Sequence, residues 1–454
     1  MADDREAGAV TLEARRPIVA VLGASGLIGE ALCTFLMSQD HEVIPVARRF
    51  TPVQVAAWGG RLMRFSLVDA DTAGLRAYLA ATGADVFVNC VGVLQDAPGS
   101  PAATANLDFV ARLVEALHTQ DGRSPLLVHV SIPGSPEDDR TEFSLGKRAA
   151  EATIGSSGLS HVILRPGFVV ADAAYGGSAL MRSLAVLPFD LPEHLAERPF
   201  AVTAVGDIGR TVDFLLDQWH AGRWSWQARW DVMDDELTTV GDVLAGLAAR
   251  FAGPRRRVRV PSWLLTTAAR AGDVVSLWGW RPPVRSTALA ELCRGVTGDA
   301  TSWREATGLA PLSGPTTLGA ISATVQERWY ARLYLLKALI VGILALFWIA
   351  SGGIAISVAF DPAVKILTDH GFGSLPATVV TVATSLMDIS IGILIGNRRT
   401  CRIGLLGGIG LSLFYMIGAA VLTPDMWIEP LGALVKTGPA IVLMMVGLAV
   451  IEDR

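Results

Sequence analysis

Four long apolar runs in the last third of the chain restrict its architecture more than any other feature. Leu339–Ala359, Pro376–Ile395, Ile403–Leu422 and Leu431–Ile451 are each about 20 residues long, the length of helix that crosses a hydrocarbon core of about 30 Å. The first and third contain no charged residue. The chain as a whole is 51% apolar and only 18% charged, unusual for a soluble enzyme. That average hides two regimes, because the residues up to Arg332 have the mixed charge of a water-soluble domain. With 454 residues, two or three domains are expected.

The basic residues orient the four runs. Arg328, Arg332 and Lys337 precede the first, Arg398, Arg399 and Arg402 separate the second from the third, and Arg454 ends the chain. The opposite loops carry only Lys365 and, one turn inside the fourth run, Lys436, which can snorkel to the interface. The excess of Lys and Arg therefore puts the N-terminus, the central loop and the C-terminus in the cytoplasm. Asp388 lies inside the second run among Leu386, Met387, Ile389 and Ile391. A carboxylate there is expensive: it marks a functional site, or it is protonated and bonded to a neighbouring helix.

The soluble part is organised around Val19–Glu30 (VAVLGASGLIGE). An apolar run, glycines at 23, 26 and 29 and then helix-forming residues read as strand, tight turn and helix. Such a turn exposes backbone N–H groups at a helix N-terminus to a pyrophosphate, with Gly23, Ser25, Gly26, Leu27, Ile28 and Gly29 as the candidate cradle. Read alone, the glycines fit equally well a turn that needs positive φ. His41–Ala47 reads as a second strand ending in Arg48 and Arg49, where an arginine can pair with the 2′-phosphate of NADP. Arg61–Val68 reads as a third strand ending in Asp69, placed to cap the next turn or approach an adenine. Leu75–Ala81 reads as a helix. Asp85–Val91 is a continuously apolar, buried-type strand leading to Val91 and Gly92, where backbone can approach a cofactor. Asn106–His118 is an amphipathic helix, and Leu126–Ser131 and His161–Leu164 are further strands. The alternation implies a doubly wound parallel sheet.

Ser131 ends a strand on the carboxyl side of that sheet. Phe143 and Lys147 stand four apart on one helix face, and Arg165–Pro166–Gly167 follows the next strand. Beyond it, Val202–Leu216 reads as a strand, an Asp207 helix cap and a helix. Arg229–Val232 reads as a strand and Thr238–Phe251 as a helix. Tyr175 lies in a glycine-rich loop. The basic Arg255–Arg259 run with Trp278–Gly279–Trp280 reads as a solvated charge run with buried aromatics, or as a face against anionic headgroups.

By GASGLIG, Arg48, Asp69, Ser131, F-x-x-x-K and LRPG, residues 17–318 resemble the extended and atypical branches of the short-chain dehydrogenase/reductase superfamily. They are similar to the branch containing the nucleotide-binding accessory subunit of mitochondrial complex I. The resemblance implies an NAD(P)-binding Rossmann domain, with Ser131 and Lys147 as catalytic residues and Val91, Gly92, Lys147 and Pro166 at the cofactor. It also exposes a departure: the family's catalytic Tyr is Phe143, which has no proton to exchange. Losing a positioned general acid costs about 10²–10⁴-fold. Tyr175 and Ser144 are the alternative hydroxyls. Residues 329–454, through Trp329–Lys337, the ALFWIASGG run and Asp425–Leu431, resemble the DoxX-like membrane family. This second resemblance implies a bacterial inner-membrane protein and quinone-linked redox work in some relatives.

The expected fold is therefore an α/β Rossmann-type doubly wound parallel sheet with a C-terminal all-α four-helix transmembrane domain. Its divisions are a disordered tail at 1–16, an NAD(P)-binding domain at 17–235, a substrate-side or linker region at 236–328 and a membrane domain at 329–454. The tail has no apolar core of the kind a signal peptide carries. A net charge of −5 argues against a nucleic-acid partner. Cys33, Cys90, Cys293 and Cys401 lack metal-site spacing and suit a reducing compartment. With no H-x-x-x-H pair among seven histidines, no metal is expected. The expected activity is a membrane-anchored NADP(H)-binding oxidoreductase acting on a quinone-type or other hydrophobic small molecule. The alternative is a catalytically impaired sensor, or a scaffold subunit of a membrane complex.

Overall fold

The computed structural model describes residues 15–94, 104–118, 124–236, 238–428, 432 and 434–451. It divides into two compact units, one of residues 1–266 with 286–323, the other of 267–285 with 324–454. Residues 267–285, expected within the 236–328 region, thus group with the C-terminal helices. Residues 1–14, Glu429–Leu431 and Arg454, all used in the sequence reading, lie outside the described residues.

The first unit begins β1 Ile18–Leu22, α1 Leu27–Ser38, β2 Glu42–Ala47, α2 Pro52–Trp58, β3 Met63–Arg64, α3 Thr72–Thr82 and β4 Val86–Asn89. It continues α4 Phe109–Leu117, β5 Leu126–Val130, α5 Glu142–Ser156 and β6 His161–Pro166. Next come β7 Phe168–Val170, α6 Gly176–Val186, β8 Phe189–Asp190, α7 Glu193–Ala196, β9 Val202–Ala204, α8 Val205–His220 and β10 Gln227–Val232. The sheet order is β10-β6-β5-β4-β1-β2-β3, with every pairing parallel. Alternate residues feed two cores. Val19, Val21, Val86, Val88 and Val128 meet Leu32, Leu36, Val212 and Leu215 on one face. Ala20, Leu22, Phe87 and Leu127 meet Leu75, Leu79, Phe109 and Leu113 on the other. Strands buried on both faces need the continuous apolar runs seen in the sequence.

Three local expectations are corrected. Only Met63–Arg64 of the expected Arg61–Val68 strand pairs with β2. Ser66 instead closes a turn, its Oγ donating to Asp69 Oδ2 at 2.5 Å and its carbonyl accepting from Asp69 and Ala70; such side-chain bonding competes with the ladder. Asp71, not Asp69, caps α3, accepting from Gly74 N at 2.8 Å. Nor does Asp207 cap α8: the helix begins two residues earlier, and the buried carboxylate accepts from Leu312 N at 3.1 Å and from Arg210.

The unit closes with α9 Val240–Arg250, β11 Val258–Arg259, α10 Ser262–Ser276, α11 Ser286–Arg294, α12 Thr301–Thr307 and α13 Gly314–Ala320, α10 running on into the second unit. Strand β11 pairs with β8, and Arg257 and Arg259 form ion pairs with Asp190 and Glu193. Two arginines of the basic run are therefore engaged within the protein.

The second unit adds α14 Val325–Ile356, α15 Phe360–Asp369, α16 Ser374–Gly396, α17 Cys401–Leu422 and α18 Thr437–Ile451. Among the described residues, α14, α16 and α17 are long and apolar enough to cross a membrane. The fourth run gives a helix of 15 residues, about 22 Å at the α-helical rise. Lys436 stands before that helix rather than inside it, because Lys436 N and Thr437 N close turns on Gly432 and Leu434. Small residues let the helices touch. A Cβ on Gly352 would run into Ser385 O, and one on Gly392 would lie 2.8 Å from Ala345 O.

Candidate functional site

The glycine turn is held by its backbone. Gly23 N and Ala24 N both donate to Val46 O, at 2.9 and 3.1 Å, and Gly26 N donates to Gly23 O at 3.0 Å. Gly23 has φ +82°, and a Cβ on it would press on Val91 N at 3.1 Å. A Cβ on Gly29 would strike Gly23 O and sit 2.8 Å from Ala24 Cα, so only glycine lets α1 seat against the turn. Gly26, the exposed N-cap of α1, offers no side chain to cap the first amides. Those amides, from Leu27 onward, lie at the positive end of the helix dipole.

At the ends of β4 and β5 a second cluster forms. Lys147 Nζ, buried, donates to Val130 O at 2.9 Å and to Val91 O at 3.3 Å. Burial pushes its ammonium down to about 8, with Cys90 and Glu151 opposing the shift. A Cβ on Gly92 would be 3.1 Å from Lys147 Nζ and 3.6 Å from Asn106 Oδ1, so the glycine leaves that space open. Ser131 N bonds Leu164 O at 2.7 Å, while its buried Oγ has no partner among the described residues. A buried hydroxyl without a partner is costly unless a ligand completes it. Pro166 is the buried last residue of β6.

The structure thus brings Gly23, Val91, Gly92 and Lys147 together. Arg48 is exposed after β2, and Asp69 is exposed and bonded to Ser66. Half-buried Phe143 lines a cavity of about 360 Å³ with Leu94, Arg140, Thr141, Ser286 and Thr287. Neither alternative hydroxyl is idle: Ser144 forms a capping box with Thr141, and Tyr175 donates to Glu30 Oε2 at 3.0 Å. Asp388 belongs to the other unit, where its oxygens accept from Tyr415 at 2.8 Å and Ser351 at 3.2 Å.

Sequence reasoning missed several neighbours. Asn89 Oδ1 accepts from Val91 N at 3.0 Å, and its amide donates to His129 Nδ1 at 3.0 Å. Burial, followed by the Lys147 charge, holds His129 neutral. A polar residue inside each apolar strand, Asn in VFVN and His in LLVHV, was the available signal. The loop after Ser131 is clamped as well. Arg148 donates to the carbonyls of Ile132, Pro133 and Gly134, and Asp139, almost wholly buried, is shared by Arg148 and Arg294 at 2.8 Å each.

Residues 19–167 match the NAD dependent epimerase/dehydratase family, and residues 345–445 match the DoxX-like family. A dTDP-6-deoxy-L-talose 4-dehydrogenase (NAD(P)(+)) of Kitasatospora kifunensis is 32% identical over 181 residues, 36% of this chain and 55% of that protein. The chain therefore spans just over half the length of this curated relative. The enzyme WbmG of Bordetella bronchiseptica, solved with NAD, has a TM-score of 0.50 at 13% identity, over 72% of this chain and 97% of its own. UDP-glucose 4-epimerase of Thermotoga maritima, solved with UDP-glucose, has a TM-score of 0.50 at 15% identity, over 70% and 99%. At such identities these two structures establish the fold alone. The chain joins an N-terminal domain of the NAD dependent epimerase/dehydratase type, within the short-chain dehydrogenase/reductase superfamily, to a C-terminal DoxX-like domain.

Proposed function

We propose that this chain is a membrane-anchored oxidoreductase that binds NADP(H) through the Gly23–Gly29 turn and acts on a quinone-type or other hydrophobic partner. The observation that carries the reading is the fit of the residues to a dinucleotide. Gly23 and Gly29 let the turn close on its own backbone beneath the α1 amides, Gly92 leaves open the space beside buried Lys147, and Ser131 Oγ has no partner among the described residues. A nicotinamide, when bound, supplies hydride transfer. Ser131 would bond the oxygen of the reacting group, and Lys147, held on Val91 and Val130, would hold the nicotinamide ribose. Exposed Arg48 favours the 2′-phosphate of NADP. Reduction of a quinone takes a hydride and a proton, and since Phe143 has none, the proton comes from water or another side chain. The DoxX-like domain and three membrane-length helices support a bilayer location. In this reading the protein lies in a bacterial cytoplasmic membrane with four spans and both termini in the cytoplasm.

Phe143 favours a second reading, a nucleotide-binding sensor or scaffold subunit without turnover. Calorimetric titration of the detergent-purified protein with NADPH and NADH, followed by turnover on a short-chain quinone, separates the two. NADPH binding with quinone turnover is expected. Binding without turnover, restored about 10²–10⁴-fold toward carbonyl substrates by Phe143→Tyr, selects the second reading. Arg48→Ala is expected to weaken NADPH binding about tenfold, or about 1.4 kcal/mol, and leave NADH unchanged. Equal NADPH affinity in the variant would remove the NADP preference.

A further inference from the structure

Helix α10 is inverted for a helix in water. Within its C-terminal half, Ala269, Gly272 and Ser276 form the one buried stripe, at spacings of three and four. Gly272 backs onto the Val284 carbonyl, and Arg285 Nε closes on Asp273 at 3.1 Å. The outward side of that half is apolar, with Val274 58% exposed and Val275 beside it, and so is the turn that follows Ser276, where Leu277 is 75% and Trp278 58% exposed. Contiguous apolar exposure of this kind marks a surface built to be covered.

Within the second unit, the position of this segment identifies what covers it. Trp280 Nε1 donates to Gly396 O at 2.7 Å, at the end of α16, and Arg398 N donates to Trp278 O at 3.2 Å. The Arg398 guanidinium lies 5.3 Å from the Trp280 ring centroid and bonds Ile451 O at 3.3 Å, at the end of α18. The Trp278–Trp280 turn therefore sits where α16 and α18 finish and α17 begins. That is the level at which membrane-length helices leave hydrocarbon, and the level tryptophan prefers. Arg270, Arg281 and Arg399 are exposed on the same segment or at the same helix ends, while Asp273 is held by Arg285. Exposed apolar side chains flanked along the chain by exposed arginines match an anionic lipid interface.

We propose that Val274, Val275, Leu277 and Trp278 insert into the headgroup zone of a bilayer containing anionic lipid, making the C-terminal half of α10 and the turn that follows it an interfacial element. This rests on the membrane reading above. The full-length protein is reconstituted in phosphatidylcholine vesicles with or without one quarter phosphatidylglycerol. Spin labels are placed singly through Val274→Cys and Leu277→Cys, and the signal of the identically labelled parent protein is subtracted. Leu406→Cys on the exposed side of α17 serves as lipid reference, and Leu312→Cys in the first unit as water reference.

Labels at 274 and 277 are expected to be more accessible to oxygen than to a water-soluble nickel chelate, as at 406 and opposite to 312. Their oxygen-to-nickel ratio is expected to rise at least twofold with phosphatidylglycerol. Nickel accessibility at 274 and 277 with 406 still lipid-exposed overturns the interfacial face and leaves the membrane reading standing. Nickel accessibility at 406 overturns both. A ratio indifferent to phosphatidylglycerol overturns the anionic component.

Discussion

Two buried polar clusters, one in each unit, are satisfied to different degrees. Around the loop after β5, Asp139 is shared by Arg148 and Arg294, and Glu151 by Arg165 and Arg148. At the strand end itself, Ser131 Oγ and His129 Nε2 have no partner among the described residues. In the helical unit the buried carboxylate is saturated, Asp388 taking hydroxyls from α14 and α17. Where polar atoms are saturated they brace a structure. On the proposed reading, the orphaned Ser131 hydroxyl beside this brace is the atom that a bound ligand would complete.

The largest effect should come from breaking the brace. Asp139→Ala leaves two guanidinium groups buried with their shared counter-ion gone, and removing one partner of a buried pair costs about 3–5 kcal/mol. Ser131→Ala, by contrast, removes a buried hydroxyl with no partner among the described residues, and should cost no stability. Denaturant unfolding of the detergent-solubilised protein, followed by tryptophan fluorescence, measures both. Equal losses in the two variants would erase the distinction between brace and open site.

Lys147 sharpens the same distinction through pH. Its folded-state value, about 8 against an ordinary 10.5, means that the unfolded chain holds more protons between those values. The cost of burying the ammonium is therefore fully present below about pH 8 and is relieved as pH rises toward the unfolded value. Dinucleotide affinity should move the opposite way. The protonated amine favours an anionic ligand, so titrations at pH 7 and pH 9 should differ by about tenfold in favour of pH 7. Lys147→Arg should flatten that profile. A flat profile in the parent protein would place Lys147 outside the nucleotide site.

How far the sequence could be read follows from the range of the forces involved. The central strands and α1 were legible because strands buried on both faces must be apolar and a tight turn must be glycine. Beyond β6 the strand at Val202 was legible, but its partner β7 and the pairing of β8 with β11 were not, since these join short segments far apart in the chain. Strand β3 was over-read because Ser66 and Asp69, both ordinary in an exposed strand, bond each other instead. In the site, Lys147 followed from the resemblance of F-x-x-x-K to the family's motif, its spacing to Phe143 giving only a shared helix face. Asn89 and His129 showed only as single polar residues in apolar strands, and Asp139 and Arg294 not at all, since a buried ion pair spanning 155 residues leaves no local trace. Helix α18 begins at Thr437, later than the apolar run, because Lys436 N and Thr437 N close turns on Gly432 O and Leu434 O.

The saturated carboxylate supplies the smallest and most discriminating test. Asp388 accepts from Tyr415 and Ser351, and Tyr415 also reaches Thr384 O at 3.4 Å, so three helices meet at one polar point. Hydrogen bonds between membrane helices are worth about 0.6 kcal/mol on average, and at most about 1.7 kcal/mol. If Asp388 is a brace, Asp388→Leu should lower stability by about that average and leave nucleotide binding and quinone turnover intact. If instead the carboxylate serves a proton or ligand path, Asp388→Leu should abolish turnover at unchanged stability, and Asp388→Glu should restore part of it. Thermal unfolding and turnover measured on the same reconstituted sample decide between these outcomes, because a brace cannot lose activity without losing stability.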